Sequence, residues 1–338
     1  MRYTQAEKME AIRLVEESAL SIRRTLQELG INRSTFYAWY QRYVEDGYDG
    51  LADRKPRPNK FWNRIPPPVK DQVVAIALDK TELSPRELAW HITDAYGYYI
   101  SESSVYRILK AYDLITSPAY IVVSAADRFK QPTKGVHELW QTDFSYFRIV
   151  GWGWYYLSSV MDDYSRYILA WKLSASMAAT DVMDTLDMAR TRVGIDRVRV
   201  HHKPRLLSDN GPCYLSRDLK AYLAECGMTH TRGARYHPQT QGKIERYHRS
   251  IKNVVNLQHY YLPGELEREI GRFVEHYNNH RYHESLDNLT PADVYSGRRW
   301  ERLSLRDVIK RETMKLRRNY NRGKGGPKKQ LHLMKSTP

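Results

Sequence analysis

The sequence predicts a multidomain chain: N-terminal all-α helix-turn-helix units, then an α/β core with a mixed five-stranded sheet and flanking helices, then a basic C-terminal tail. Three observations carry this. Short amphipathic segments with Asn, Ser and Gly at their ends repeat through the first third of the chain. Apolar runs of strand length follow, first together and then alternating with helical patterns, which is the signature of a mixed α/β layer. Finally, residues 297–338 hold 14 Lys and Arg against 3 Asp and Glu.

Taken in order, residues 1–53 form the first unit. Ala6, Met9, Ile12, Leu14 and Val15 recur at helical spacing, SIRRTLQELG makes a second helix ending at Gly30, and Asn32 caps a third. Ile22, Leu26, Leu29, Ile31, Phe36 and Trp39 supply the apolar contacts. Arg33, Ser34, Thr35, Tyr37 and Gln41 are then left on the outer face of the third helix, where a basic, hydroxyl-rich helix start suits phosphates and base edges. A ligand-free three-helix bundle is the plainer reading of the same pattern.

Residues 54–68 are Pro-rich and basic and read as a semi-rigid linker. Residues 69–116 repeat the helical arrangement, with Ser84 as a cap, Pro85 at the first helical position, and Ser103, Ser104, Arg107 and Lys110 on the exposed face. Residues 65–136 carry 8 acids and 8 bases, so a packing or dimer role competes with DNA contact. Residues 117–134 show no sustained period and read as a second linker.

Residues 135–296 form the core. Asp143 sits inside a strand pattern, LWQTDFSYFRIV, where propensity disfavours an acid. Two further strands meet at the turn Asp162-Asp163-Tyr164-Ser165, and AATDVMDTLDMARTRVG is a helix. Leu206 and Leu207 deliver Asp209 to the turn-forming Asn210-Gly211-Pro212, so Asp209 stands at a strand tip. SRDLKAYLAECG is another helix and MTHTRG a fifth strand. Beyond the breakers Pro238 and Gly242 a helix carries Glu245, with Lys252 two turns on along the same face. Three acids on a strand, a strand tip and a helix can converge on hard cations such as Mg²⁺, which prefer carboxylate oxygens. Two such ions about 3.5–4 Å apart would hold the attacking and leaving oxygens of a phosphodiester.

Other groups have plainer roles. Asp162 and Asp163 read as turn caps, and Asp181, Asp184 and Asp187 as a solvated helix face. His201, His202 and His237 lack Cys or acid partners at ligand spacing, so no zinc is expected. Cys213 and Cys226 are too few for a disulfide framework and read as buried thiols. No run of apolar residues approaches membrane-spanning length, and the N-terminus lacks a signal core, so a cytoplasmic chain without membrane contact is expected. Of the net charge of +15, eleven units lie in residues 297–338, a segment suited to phosphate contact or to a subunit interface.

The order Asp143, Asp209, Glu245, with a basic residue seven beyond the glutamate, resembles the catalytic core of bacterial insertion-sequence transposases and retroviral integrases. TDFSYF, MDDYSRYILAW, SDNGP, HPQTQGKIER and YNNHRYHESLDNLTPADVY extend the resemblance over roughly residues 135–296. The absence of an N-terminal Cys/His quartet places it nearer the bacterial branch, and hence in a bacterial, nucleoid-associated setting.

The resemblance implies a ribonuclease H-like core and a DNA transposase that binds terminal inverted repeats and performs metal-dependent cleavage and strand transfer. It makes Asp143, Asp209 and Glu245 the catalytic and metal-binding residues, with two Mg²⁺ ions per site and Mn²⁺ able to substitute. It also makes Lys252 a DNA contact near the cleaved end. Tyr236, His237, Lys243, Arg246 and Arg249 are further candidates for substrate contact around Glu245. The partners it implies are double-stranded DNA, as element ends and target, and a second copy of the chain in at least a dimer. A repressor with an idle core, or a nuclease without strand transfer, would share parts of this pattern.

Overall fold

The computed structural model describes residues 3–53, 61–115, 133–195, 203–233 and 242–322, in two compact units, Met1–Phe61 and Trp62–Pro338. The first unit comprises α1 (Gln5–Glu17), α2 (Ile22–Glu28), α3 (Arg33–Asp46) and a 3-10 turn at Gly47–Leu51. Thr4 and Glu7 form a reciprocal capping box at the start of α1, and Asn32 Oδ1 accepts the Ser34 N–H at the start of α3. Ile12, Leu26, Ile31, Phe36, Trp39 and Leu51 make the core. Ile22, expected among them, is instead 43% exposed. It opens the short α2, whose inward face is Thr25 and Leu26. The 3-10 turn closes against α3 only because position 50 is glycine, since a Cβ there would lie 2.2 Å from the Arg42 carbonyl oxygen.

The second unit opens with α4 (Pro67–Asp79), α5 (Pro85–Tyr96) and α6 (Glu102–Ala111). Ser84 and Glu87 form the capping box of α5 with Pro85 in its first turn, and Val69, Val73, Leu88, Ile92, Val105 and Leu109 pack between the three helices. A mixed sheet follows, built from β1 (Leu139–Ile149), β2 (Gly153–Asp162), β3 (Ile168–Ser174), β4 (Arg205–Ser208) and β5 (His230–Arg232) in the order β3-β2-β1-β4-β5. β1 is antiparallel to β2 and parallel to β4.

Both faces of the sheet are covered, so its central strands bury alternate residues in opposite directions. Trp140 of β1 and Leu206 of β4 pack with α7 (Ala179–Val193) and α8 (Arg217–Glu225). Phe147 of β1 and Leu157 of β2 pack with α9 (Gly242–Val255) and α10 (Pro263–Asn279). The inward stripe of α9 is Ile244, Tyr247, Ile251 and Val255, all essentially buried. At roughly 1.5–3 kcal/mol per buried apolar side chain, this stripe fixes the helix on the sheet.

The chain ends, within the described residues, in α11 (Pro291–Tyr295) and α12 (Arg299–Asn321). Part of the basic charge expected to face phosphates or a partner from residue 297 is turned inward instead, because α12 is tied to the rest of its unit through the buried cations Arg306 and Arg317. Arg306 forms a fork with Asp94 of α5 at 2.8 and 2.6 Å, donates to the Asp287 and Asn288 carbonyls, and lies 4.4 Å from the Trp90 ring. One turn after the Thr313 hydroxyl accepts the Tyr99 N–H, Arg317 donates to the Tyr98 hydroxyl and the Tyr99 carbonyl. The Gly/Lys-rich stretch from residue 323 lies outside the described residues. Among the described residues no helix is long and apolar enough to cross a membrane.

Candidate active site

Asp143 lies midway along β1, on the face that meets α9. Its position follows from strand parity: Gln141, Asp143, Ser145 and Phe147 point one way, and Phe147 is in the cluster with Ile244 and Tyr247. Parallel pairing of Gln141 with Leu207, carried on two residues, brings the end of β4 level with Asp143. There Asp209 starts a turn, its Oδ1 accepting the Gly211 N–H at 2.8 Å. A Cβ at Gly211 would stand 3.0 Å from that oxygen, so a larger residue would push the carboxylate aside by a few tenths of an ångström. Glu245 follows the buried Ile244 in the first turn of α9 and is exposed.

The electrostatics tie the three acids together. The Asp143 carboxyl is pushed up to about 7, first by burial and then by the charges of Asp209 and Glu245, while the Phe144 N–H and the Lys252 ammonium oppose the shift. Burial first, and then the charges of Asp209 and Asp143, push the Cys213 thiol up to about 11, which favours its protonated form. Among the described residues no group of three or more His, Cys, Asp or Glu side chains is drawn close enough to hold a metal ion. The acids therefore meet through their fields, with Asp209 and Glu245 exposed. A partly desolvated carboxylate beside two exposed ones is a donor set that fits a hard divalent cation, whose charge would relieve the repulsion at Asp143.

The basic residues of α9 divide. Lys252 shares the face of Glu245 and its Nζ sits 4.0 Å from the Tyr146 ring centroid. Arg249 is exposed, and Arg246 is exposed with its Nε donating to the Gly242 carbonyl. Lys243, expected at the substrate, is placed elsewhere: its Nζ lies 2.7 Å from Asp163 Oδ2 and 2.9 Å from the Asp163 carbonyl oxygen. It precedes Ile244 on the helix and so starts on the sheet side. Tyr236, His237, His201 and His202 lie outside the described residues.

In the first unit Arg33, Ser34, Tyr37 and Gln41 are exposed and Thr35 half-buried, with the Arg33 guanidinium 5.5 Å from the Tyr37 ring. Ser103, Arg107 and Lys110 are exposed on α6, and Ser104 is half-buried, bonded to Ser101.

Asp162 caps the β2–β3 turn as expected, accepting the Ser165 N–H and hydroxyl and the His137 N–H. Asp181 is not on a solvated face: it is buried and caps α7, accepting Ser176 Oγ at 2.7 Å and the Ala178 N–H at 3.0 Å. Asp184 pairs with Lys172, and Asp187 accepts from Tyr222 and Arg190. Sequence reading missed Gln141, whose signal was its position two before Asp143 on the same strand face. It also missed Tyr146 beneath Lys252, for which the sequence carried no signal.

Comparison with known proteins agrees with this geometry. Models described as integrase core domain match residues 134–238 and 226–291, and models described as homeodomain-like domain match residues 2–52 and 35–109. The chain is accordingly an integrase-core enzyme of the DDE transposase/integrase class, with N-terminal helix-turn-helix domains. Insertion-sequence transposases are among the proteins it is similar to. It is 28% identical over 284 residues to the transposase of element IS629 from Shigella sonnei, covering 79% of this chain and 88% of that one. It is 24% identical over 292 residues to the InsF transposase of IS3A from Escherichia coli K12, covering 81% and 94%. Among solved structures, the HTLV-2 integrase catalytic core domain in complex with magnesium aligns with a TM-score of 0.38 at 19% identity, over 48% of this chain and 97% of that one.

Proposed function

We propose that this chain is the transposase of an insertion sequence, that its helix-turn-helix domains bind the terminal inverted repeats, and that Asp143, Asp209 and Glu245 are its catalytic carboxylates. The observation that carries the reading is the raised proton affinity of Asp143, produced by burial together with two acids from separate elements. Natural folds hold like charges together where a cation is to join them.

The three carboxylates would hold Mg²⁺ or Mn²⁺, two ions per active site, supplying Lewis-acid activation of water or a 3′-hydroxyl and neutralisation of the leaving oxygen. The protein's own contributions are distinct. Burial of Asp143 against α9 excludes water from one side of the reacting phosphate. The Phe144 and Gly211 N–H groups fix one oxygen each of Asp143 and Asp209, leaving the second oxygen of each to face the substrate. Lys252, held over Tyr146, presents a positive charge to the phosphate backbone on the Glu245 face. Exposed Arg33, Ser34, Tyr37 and Gln41 on α3 suit base edges and phosphates of an element end. Because both ends of an element must be held together, the working form is a dimer or a higher assembly in the bacterial cytoplasm.

The test is Asp143→Asn assayed on a labelled repeat-end duplex. Loss of nicking and joining in Mg²⁺, with end binding retained, is expected. Retained cleavage removes Asp143 from the reaction.

A further inference from the structure

A buried polar cluster joins the strand of Asp143 to the helix of Glu245. Asp163, in the β2–β3 turn, is 2% exposed. Its Oδ1 accepts from Gln141 Nε2 at 2.6 Å, and its Oδ2 accepts from Lys243 Nζ at 2.7 Å and from Thr133 Oγ1 at 2.6 Å. Its backbone is engaged as well, with the N–H donating to the Leu139 carbonyl and the carbonyl accepting from Lys243. The Gln141 amide closes the loop by accepting the Ile244 N–H at 3.2 Å.

Gln141 lies two residues before Asp143 on one strand face, and Lys243 and Ile244 immediately precede Glu245. The paths through Gln141 thus run from β1 to the first turn of α9. The apolar stripe of α9 holds the helix on the sheet without directional bonds, whereas the bonds from Lys243 to Asp163 and from the Ile244 N–H to Gln141 fix the position of its first turn. A charge removed from water this completely is retained only when its partners satisfy every oxygen.

We propose that Asp163 is a positioning residue: through Gln141 and Lys243 it sets the reach of Glu245 to Asp143, and thereby the affinity of the carboxylate site for a divalent cation. This rests on the reading that Asp143, Asp209 and Glu245 hold that cation. Asp163 touches neither substrate nor cation.

The experiment is Mn²⁺ titration of the full-length protein, followed by the paramagnetic signal of free Mn²⁺, for the wild type and for Asp163→Asn, Lys243→Gln and Asp143→Asn. Amide hydrogen exchange at Ile244 is measured in parallel. A disrupted partner behind a metal-binding group weakens affinity about 10–100-fold, so Asp163→Asn and Lys243→Gln are both expected to bind Mn²⁺ at least about tenfold more weakly, with faster exchange at Ile244. Lys243→Gln is the decisive variant. Removing a cation should tighten Mn²⁺ binding if only the field mattered, and weaken it if position matters. Lys243 is also partly exposed, so this variant serves if Asp163→Asn fails to fold. Unchanged or tighter binding by Lys243→Gln overturns the proposal. Unchanged binding by Asp143→Asn overturns instead the reading on which it rests.

Discussion

Asp143→Asn should stabilise the metal-free protein while abolishing its chemistry, and the size of the effect follows from the site. The Asp143 carboxyl titrates near 3.8 when unstructured and is pushed up to about 7 in the fold, by burial and by Asp209 and Glu245. Between these values the folded state holds a proton that the unfolded state has released. Stability therefore falls as pH rises from about 4 through 7, and the penalty is complete above 7. Three pH units correspond to about 4 kcal/mol. Water around the exposed Asp209 and Glu245 screens part of this, leaving about 2 kcal/mol. Asparagine keeps the oxygen that accepts the Phe144 N–H and removes the charge. Thermal unfolding in EDTA at pH 8 should then show the variant higher by about 4–8 °C, with the difference vanishing near pH 4. Mg²⁺ at pH 8 should raise the wild type and leave the variant unmoved. Equal melting temperatures for the two proteins at pH 8 would refute the claim that burial, together with Asp209 and Glu245, penalises the Asp143 charge.

Two further predictions concern cations outside the acid cluster. Lys252→Ala should weaken duplex binding and lower the slope of log affinity against log salt by about one, measured by fluorescence anisotropy; an unchanged slope places its ammonium off the phosphate path. Arg306→Ala leaves the Asp94 carboxylate without its fork and should cost about 3–5 kcal/mol, read as a lower melting temperature and rapid proteolysis within α12. An α12 that resists proteolysis in that variant would show that its apolar contacts suffice.

Much of the architecture was legible because it rests on local chemistry. The five strands, the cap residues Asn32 and Ser84 and the turn after Asp209 each follow from a few neighbouring side chains. Asp143 stood out for the opposite reason: it violates strand propensity, and such violations collect where function requires them. What stayed hidden depends on partners distant in sequence. Nothing near Lys243 says that its ammonium meets Asp163 eighty residues earlier, and nothing near Arg306 announces Asp94. Lys243 reads as a substrate contact and Arg306 is not singled out, because Lys and Arg are mostly exposed. Asp181 was misjudged within its own helix, where three-residue spacing suggested a surface stripe and the first of the three proved to be the cap.

The central claim is that the carboxylates of Asp143, Asp209 and Glu245 share a cation. Crystals grown with Mn²⁺ and a repeat-end duplex, measured at the manganese absorption edge, test it most directly. Anomalous peaks within coordination distance of oxygens from all three side chains are the expected result; peaks that contact other residues while these three remain unligated would contradict it.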